Sequence, residues 1–220
     1  MSENIRLEII HIPFVDTNCY ALINGNDSIL FDAGGDGELI IDYFKNNNLN
    51  LKAIFLTHGH YDHIEALDNL NQAYSEVPIY ANEDEKVVIE NKTNSLMDHE
   101  LKDEVLKRIT YIKDGTEFDI LDLKIKMIST PGHTKGCCCY YIESLKVLFS
   151  GDTLFKGTYG RVDLPTSNPK DIVISISKKL MQLPDDTVVF PGHGASTNIA
   201  YERENSELMQ DYVINWAINN

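Results

Sequence analysis

The segment Thr57-His58-Gly59-His60-Tyr61-Asp62-His63 restricts this chain more than any other stretch. Three imidazoles and one carboxylate fall within six positions, after the apolar run 51–56 and before the helix-like stretch 64–70. Both side-chain types bind Zn²⁺ and comparable divalent ions. A helix would group ligands at i and i+4. The spacing i, i+2, i+4, i+5 instead requires an extended turn leaving a strand, with alternate side chains aimed one way. One metal takes about four protein or water ligands, so this density of ligands points to two metals.

Three further turns supply ligands downstream. Thr130-Pro131-Gly132-His133-Thr134 follows the strand-like 123–129, Ser150-Gly151-Asp152-Thr153 follows 147–149, and Phe190-Pro191-Gly192-His193-Gly194 follows 188–189. Each sets one His or Asp in a Gly-containing turn after an apolar, partly β-branched run. Loops at strand ends, held by a rigid sheet, are where converging ligands are found.

With these motifs the chain resembles the metallo-β-lactamase superfamily, in its glyoxalase II-like branch of small hydrolases. The resemblance runs from Phe31-Asp32-Ala33-Gly34-Gly35 to Tyr201-Glu202-Arg203. It implies an α+β fold, an αββα sandwich of two mixed β-sheets flanked by helices, with metals in a cleft at one edge of the sheets. Carried over by motif, His58, His60 and His133 would hold one metal. Asp62, His63 and His193 would hold a second, with Asp152 bridging. Asp32 resembles the family's buried carboxylate that accepts an imidazole N–H; the alternative is a turn Asp before Gly34 and Gly35. His11 and His99 lie outside every motif and read as ordinary strand or surface residues.

The whole chain, residues 1–220, reads as one domain: 43% of it is hydrophobic and no linker, repeat or low-complexity run interrupts it. After Met1-Ser2-Glu3-Asn4 no basic segment leads into a long apolar one, so a signal peptide is not expected, and no apolar run approaches the ~20 residues that span a bilayer. Cys137, Cys138 and Cys139 are consecutive, which suits buried strand residues better than a disulfide framework. The cytoplasm is the expected compartment. A net charge of −15 without any Lys/Arg run argues against nucleic-acid partners. A small anionic substrate met by one or two local cations remains compatible, and neither a membrane partner nor a particular oligomeric state is indicated.

Strands are expected at 6–12, 20–23, 28–31, 117–120, 124–129, 137–142 and 147–149, with helices near 37–47 and 169–180. Residues 83–108 have mostly helical propensity, with Met97, Leu101, Val105 and Leu106 as an apolar stripe. Leu208, Tyr212 and Trp216, spaced i, i+4, i+8, predict a terminal helix packing that face on the core.

Two divalent ions, Zn first and Fe or Mn as alternatives, can lower the pKa of a water held between them from ~15.7 towards neutrality, giving a hydroxide. The hydroxide attacks a carbonyl, with Asp62 as the candidate catalytic carboxylate orienting it. No G-x-S-x-G nucleophile elbow is present. Residues 151–165 closely resemble the glyoxalase II-like consensus, and Asp152 stands where some β-lactamases use a Cys. Two departures concern substrate: the chain is too short for glyoxalase II's helical carboxy-terminal domain, and His193-Gly194-Ala195 replaces a His-Glu-Tyr sequence. The expected activity is hydrolysis of a small thioester or ester, hydroxyacyl-glutathione first. The alternatives are a persulfide dioxygenase holding one iron through two His and one Asp, and a metal-binding regulatory domain without activity. Arg161 would bind the carboxylate of a thiol carrier; its other reading is a structural pair with Asp163.

Overall fold

The computed structural model describes residues 5–219. The first half of the chain forms β1 (Ile5–Ile12), β2 (Thr17–Asn24), β3 (Asp27–Phe31), β4 (Asn50–Phe55), β5 (Ile79–Asn82) and β6 (Ile109–Ile112). They lie side by side in that order, antiparallel from β1 to β3 and parallel from β3 to β6. The second half forms β7 (Glu117–Ile120), β8 (Leu123–Ser129), β9 (Cys138–Ile142), β10 (Val147–Gly151), a small hairpin of β11 (Leu154–Phe155) and β12 (Thr158–Tyr159), then β13 (Val188–Pro191) and β14 (Thr197–Asn198). Its sheet runs β14-β13-β10-β9-β8-β7, parallel only between β10 and β13.

Burial on both faces of the central strands creates the layers. Successive strand residues point to opposite faces. Along β2, Cys19, Ala21 and Ile23 pack on helix residues Ile40, Phe44, Leu67 and Leu70. Tyr20 and Leu22 face the other sheet. Strand β9 repeats the pattern: Cys138, Tyr140 and Ile142 turn inward, while Cys139 and Tyr141 meet Ile172, Ile176 and Leu180. The sheets meet through aromatic rings. Phe31 stacks on Phe149 with centroids 3.9 Å apart, and Phe55 lies 5.1 Å from Tyr140. The outcome is the expected helix–sheet–sheet–helix sandwich, α+β with two mixed sheets.

Two expectations are corrected. Residues 83–108 form only the short turns Glu83–Glu85, Lys86–Ile89 and Asp103–Leu106. Asn91 Oδ1 accepts the N–H groups of Thr93 and Asn94 at 3.0 and 3.1 Å, offering the backbone an alternative to a helix. Met97, Leu101 and Val105 are buried all the same. At the terminus Leu208 is buried, but Tyr212 is 73% and Trp216 44% exposed. Extended backbone at Gln210, ψ 131°, separates the turn carrying Leu208 from the helix Asp211–Asn219 and resets its phase, so Ala217 faces inward. Among the described residues no helix is long and apolar enough to cross a membrane.

Candidate metal centre

Four loops leave strand ends on one edge of the sandwich and bring all seven candidate ligands together. The loop after β4 carries His58, His60, Asp62 and His63; those after β8, β10 and β13 carry His133, Asp152 and His193. Extended backbone at His60, ψ 151°, leads directly into the turn Tyr61–Ile64, so His60 and His63 project from different local structure. Donor atoms fall into three overlapping groups, each within 4.8 Å: His58, His60 and His133; His58, Asp62 and His63; His63, Asp152 and His193.

The outer nitrogen of most rings is held by an acceptor. His133 Nδ1 lies 2.8 Å from the Arg161 carbonyl and His193 Nδ1 2.7 Å from the Asp16 carbonyl. A carbonyl only accepts, so both Nδ1 atoms carry the proton and both Nε2 lone pairs turn inward. His63 Nδ1 meets Asp32 Oδ2 at 2.8 Å. His58 Nδ1 meets Thr57 Oγ1 at 3.2 Å, and that hydroxyl donates onward to Asp32 at 2.8 Å. Asp32 is therefore a buried support of the ligands rather than a simple turn residue. The β13 loop is pinned from β2: Asn18 Nδ2 donates to the Gly194 carbonyl and the Tyr20 hydroxyl to that of Pro191, at 3.0 and 2.6 Å. Gly192 is required there, because a Cβ would lie 2.4 Å from Asp152 Oδ1 and 2.6 Å from His63 Cε1.

On the inner face, Asp152 Oδ1 is 3.3 Å from His63 Nε2, while Oδ2 is 3.5 Å from His133 Nε2 and 3.6 Å from His193 Nε2. Asp62 Oδ2 is 3.2 Å from His193 Nε2. Burial and the neighbouring imidazoles, His63 foremost, hold His58 well below the usual imidazole value. Burial and His133 push His60 down to about 3. Both rings are thus neutral, the form that binds metals. Burial opposes ionisation of Asp152, but His63 and the other rings hold its carboxyl below the usual range.

These residues fit divalent cations. His58 Nε2, His63 Nε2 and Asp152 Oδ1 are buried without a hydrogen-bond partner, and His60 presents Nδ1 to the cluster, 2.9 Å from His133 Nε2. Unsatisfied buried polar atoms are costly and rare, and a cation is the partner that imidazole and carboxylate donors converging on one point select.

Beside the cluster opens a cleft of about 470 Å³ whose outer walls are Tyr61, Leu96, Phe155, Tyr159 and Leu164. A larger groove of about 840 Å³, near Glu117, Lys124 and Tyr141, contains none of the candidate ligands. Arg161 stands at the cleft, its guanidinium paired with both Asp163 oxygens at 2.7 and 2.8 Å. Buried Glu202, from Tyr201-Glu202-Arg203, accepts the Gly157 N–H at 3.0 Å and the Thr197 hydroxyl at 2.6 Å, fixing the β11–β12 hairpin that walls the cleft. Arg203 pairs with Asp185 and caps the Met181 carbonyl. His11 and His99 stand apart, beside Asp16 and Asp98.

A two-sheet sandwich with a buried His/Asp cluster at its edge defines a class of metal-binding proteins. The chain belongs to the metallo-β-lactamase superfamily, whose family model matches residues 12–193. It is 33% identical over 207 residues to the probable metallo-hydrolase YqgX of Bacillus subtilis, covering 90% of this chain and 94% of that one. It is 30% identical to the hydroxyacylglutathione hydrolase GloC of Haemophilus influenzae over 93% of this chain and 98% of that one. Among solved structures the B3 metallo-β-lactamase BLEG-1 superposes with TM-score 0.80 at 31% identity, over 93% of this chain and all of that one.

Proposed function

We propose that this chain is a binuclear metal-dependent hydrolase of a small thioester or ester, with a hydroxyacyl-glutathione thioester the foremost candidate. The observation that carries the reading is Asp152, whose oxygens face His133 of one ligand group and His63 and His193 of the other. His58, His60 and His133 would hold one ion and Asp62, His63 and His193 the other, with Asp152 shared. Zinc, iron and manganese all suit this donor set. The bound ions supply Lewis-acid polarisation of a carbonyl and an acidified water.

The chain's own residues do the rest. Asp62, partly open to the cleft and beside His193 Nε2, orients the attacking water and takes up its proton. The Asp32, Arg161 and Asp16 acceptors keep the rings turned inward, so that the ligands need no rearrangement during turnover. Leu96, Phe155, Tyr159 and Leu164 exclude bulk water from the reacting group. Arg161 exchanges Asp163 for the carboxylate of a thiol carrier, two parallel hydrogen bonds for two. The resemblance to GloC supports a glutathione thioester. All four cysteines are free and buried, which supports a reducing, cytoplasmic setting. The net charge of −15 supports a small-molecule substrate over nucleic acid.

One assay tests the reading: metal content of chelator-free protein, with turnover of a hydroxyacyl-glutathione thioester, a neutral ester and a β-lactam, and oxygen uptake on glutathione persulfide. Near two equivalents of metal with thioester turnover is expected. One equivalent of iron with oxygen consumption, or turnover of the β-lactam alone, would overturn it.

A further inference from the structure

Glu85 ends the turn after β5 and is almost completely buried, at 1% exposure. Carboxylates are rarely buried without a strong partner, and the partners here are three neutral donors. Oε1 accepts the Gly59 N–H at 2.8 Å; Oε2 accepts the Thr134 hydroxyl and the Gly136 N–H, each at 2.8 Å. Gly59 lies between His58 and His60, and Thr134 follows His133. One carboxylate therefore ties the loop leaving β4 of the first sheet to the loop leaving β8 of the second.

The contact leaves no slack. A Cβ at Gly136 would lie 2.1 Å from the Glu85 nitrogen, so the two backbones already touch. A second buried carboxylate, Asp32, bonds His63 directly and reaches His58 through Thr57, but among the described residues it makes no hydrogen bond to the loop carrying His133.

We infer that Glu85 is a positioning residue for the His58, His60 and His133 half of the metal centre, acting through the backbones on either side of these rings. The inference rests on the two-metal reading. Glu85→Gln keeps the size of the side chain but sets an amide N–H₂ against at least one of three donors. The loops then separate by a fraction of an ångström, and three nitrogens from two sheets lose their common focus. The Asp62, His63 and His193 group keeps its anchors at Asp32 and Asp16.

The test is competitive zinc titration of the metal-stripped full chain with a chromophoric chelator. Imidazole resonances are followed by NMR to show which rings each equivalent engages. It is run at pH 8, because burial pushes Glu85 up to about 7 against the pull of Thr134 and the two N–H groups. Glu85→Gln is expected to weaken the His58, His60 and His133 site about 10–100-fold and to leave the other within about threefold. Thr134→Val, which removes one of the three bonds, should weaken the same site less and covers the case in which Glu85→Gln does not fold. Asp32→Asn, by contrast, should weaken both sites, because Asp32 holds His63 directly and His58 through Thr57. Equal weakening of both sites in Glu85→Gln, or wild-type affinities in Glu85→Gln and Thr134→Val, would overturn the inference. If the wild-type chain binds one equivalent, the two-metal reading fails instead. Glu85 is then judged on that site alone, and an affinity within threefold of wild type overturns its role.

Discussion

His63 Nδ1 and Asp32 Oδ2 lie 2.8 Å apart with both side chains buried. Asp32 also accepts the Thr57 N–H at 2.7 Å and occupies a left-handed conformation, φ +61°. Burial disfavours a charged His63 ring, but Asp32 first, then Asp62 and Asp152, raise it well above the usual imidazole range. Negative charge is concentrated around one imidazole, which is the electrostatic counterpart of a cation site.

Asp152→Ala should abolish hydrolysis and weaken both metal sites, since its oxygens face ring nitrogens of both groups. His99→Ala should keep wild-type turnover and metal content, because His99 is half-exposed beside Asp98. Steady-state kinetics with elemental analysis checks both. Wild-type turnover by fully loaded Asp152→Ala would remove Asp152 from the site.

Arg161→Ala should raise KM for an anionic thioester about tenfold through loss of a charge-assisted pair, and leave a small neutral ester unaffected. The Arg161–Asp163 pair is exposed, so the thermal midpoint should hardly move. A lowered midpoint with unchanged KM would make the pair purely structural.

Burial pushes the thiols of Cys19 and Cys139 up to about 12 and that of Cys137 up to about 11. In the unfolded chain these groups titrate near 9.0. Between those values the unfolded state binds fewer protons, so stability falls as pH rises. The contribution is fully present below pH 9 and is lost through pH 11–12. Denaturant titrations should show this decline, and a thiol reagent at pH 8 should label the native protein far more slowly than the unfolded one. Rapid native labelling would contradict the burial.

Leu96 holds φ +62° at the mouth of the cleft, a conformation that costs a branched side chain about 1–2 kcal/mol. Leu96→Gly should therefore be more stable than Leu96→Ala by roughly 1 kcal/mol in denaturant unfolding. Both should lose turnover of substrates with an apolar acyl group. Equal stability of the two variants would show that no strain is held there.

The candidate ligand set is legible in the sequence because each member sits in a short turn directly after an apolar strand. Position in the chain is then enough to place His58, His133, Asp152 and His193. Their supports are harder to read. Two ring nitrogens are held by the carbonyls of Asp16 and Arg161, and a carbonyl acceptor has no side-chain signature. Glu85 sits in an acidic run, Glu83-Asp84-Glu85, that looks like solvated surface, and only tertiary contact separates it from its neighbours. Strands β5, Ile79-Tyr80-Ala81-Asn82, and β6, Ile109-Thr110-Tyr111-Ile112, escape notice because, unlike the equally short β7, Glu117-Phe118-Asp119-Ile120, they lack strict alternation of polar and apolar residues. Tyr212 and Trp216 mislead because a single extended residue, Gln210, rotates the helix that follows it.

The ligand loops do not come from one sheet. Those holding His58 to His63 leave the first sheet, and those holding His133, Asp152 and His193 leave the second. A cation bound among them would be a rivet through the sandwich as well as a reagent. Any opening that parts the sheets must release it, so free metal concentration and resistance to unfolding become one linked variable, rising together as RT ln(1 + [metal]/Kd). Starving the cell of the ion would both silence the site and loosen the joint between the halves of the chain.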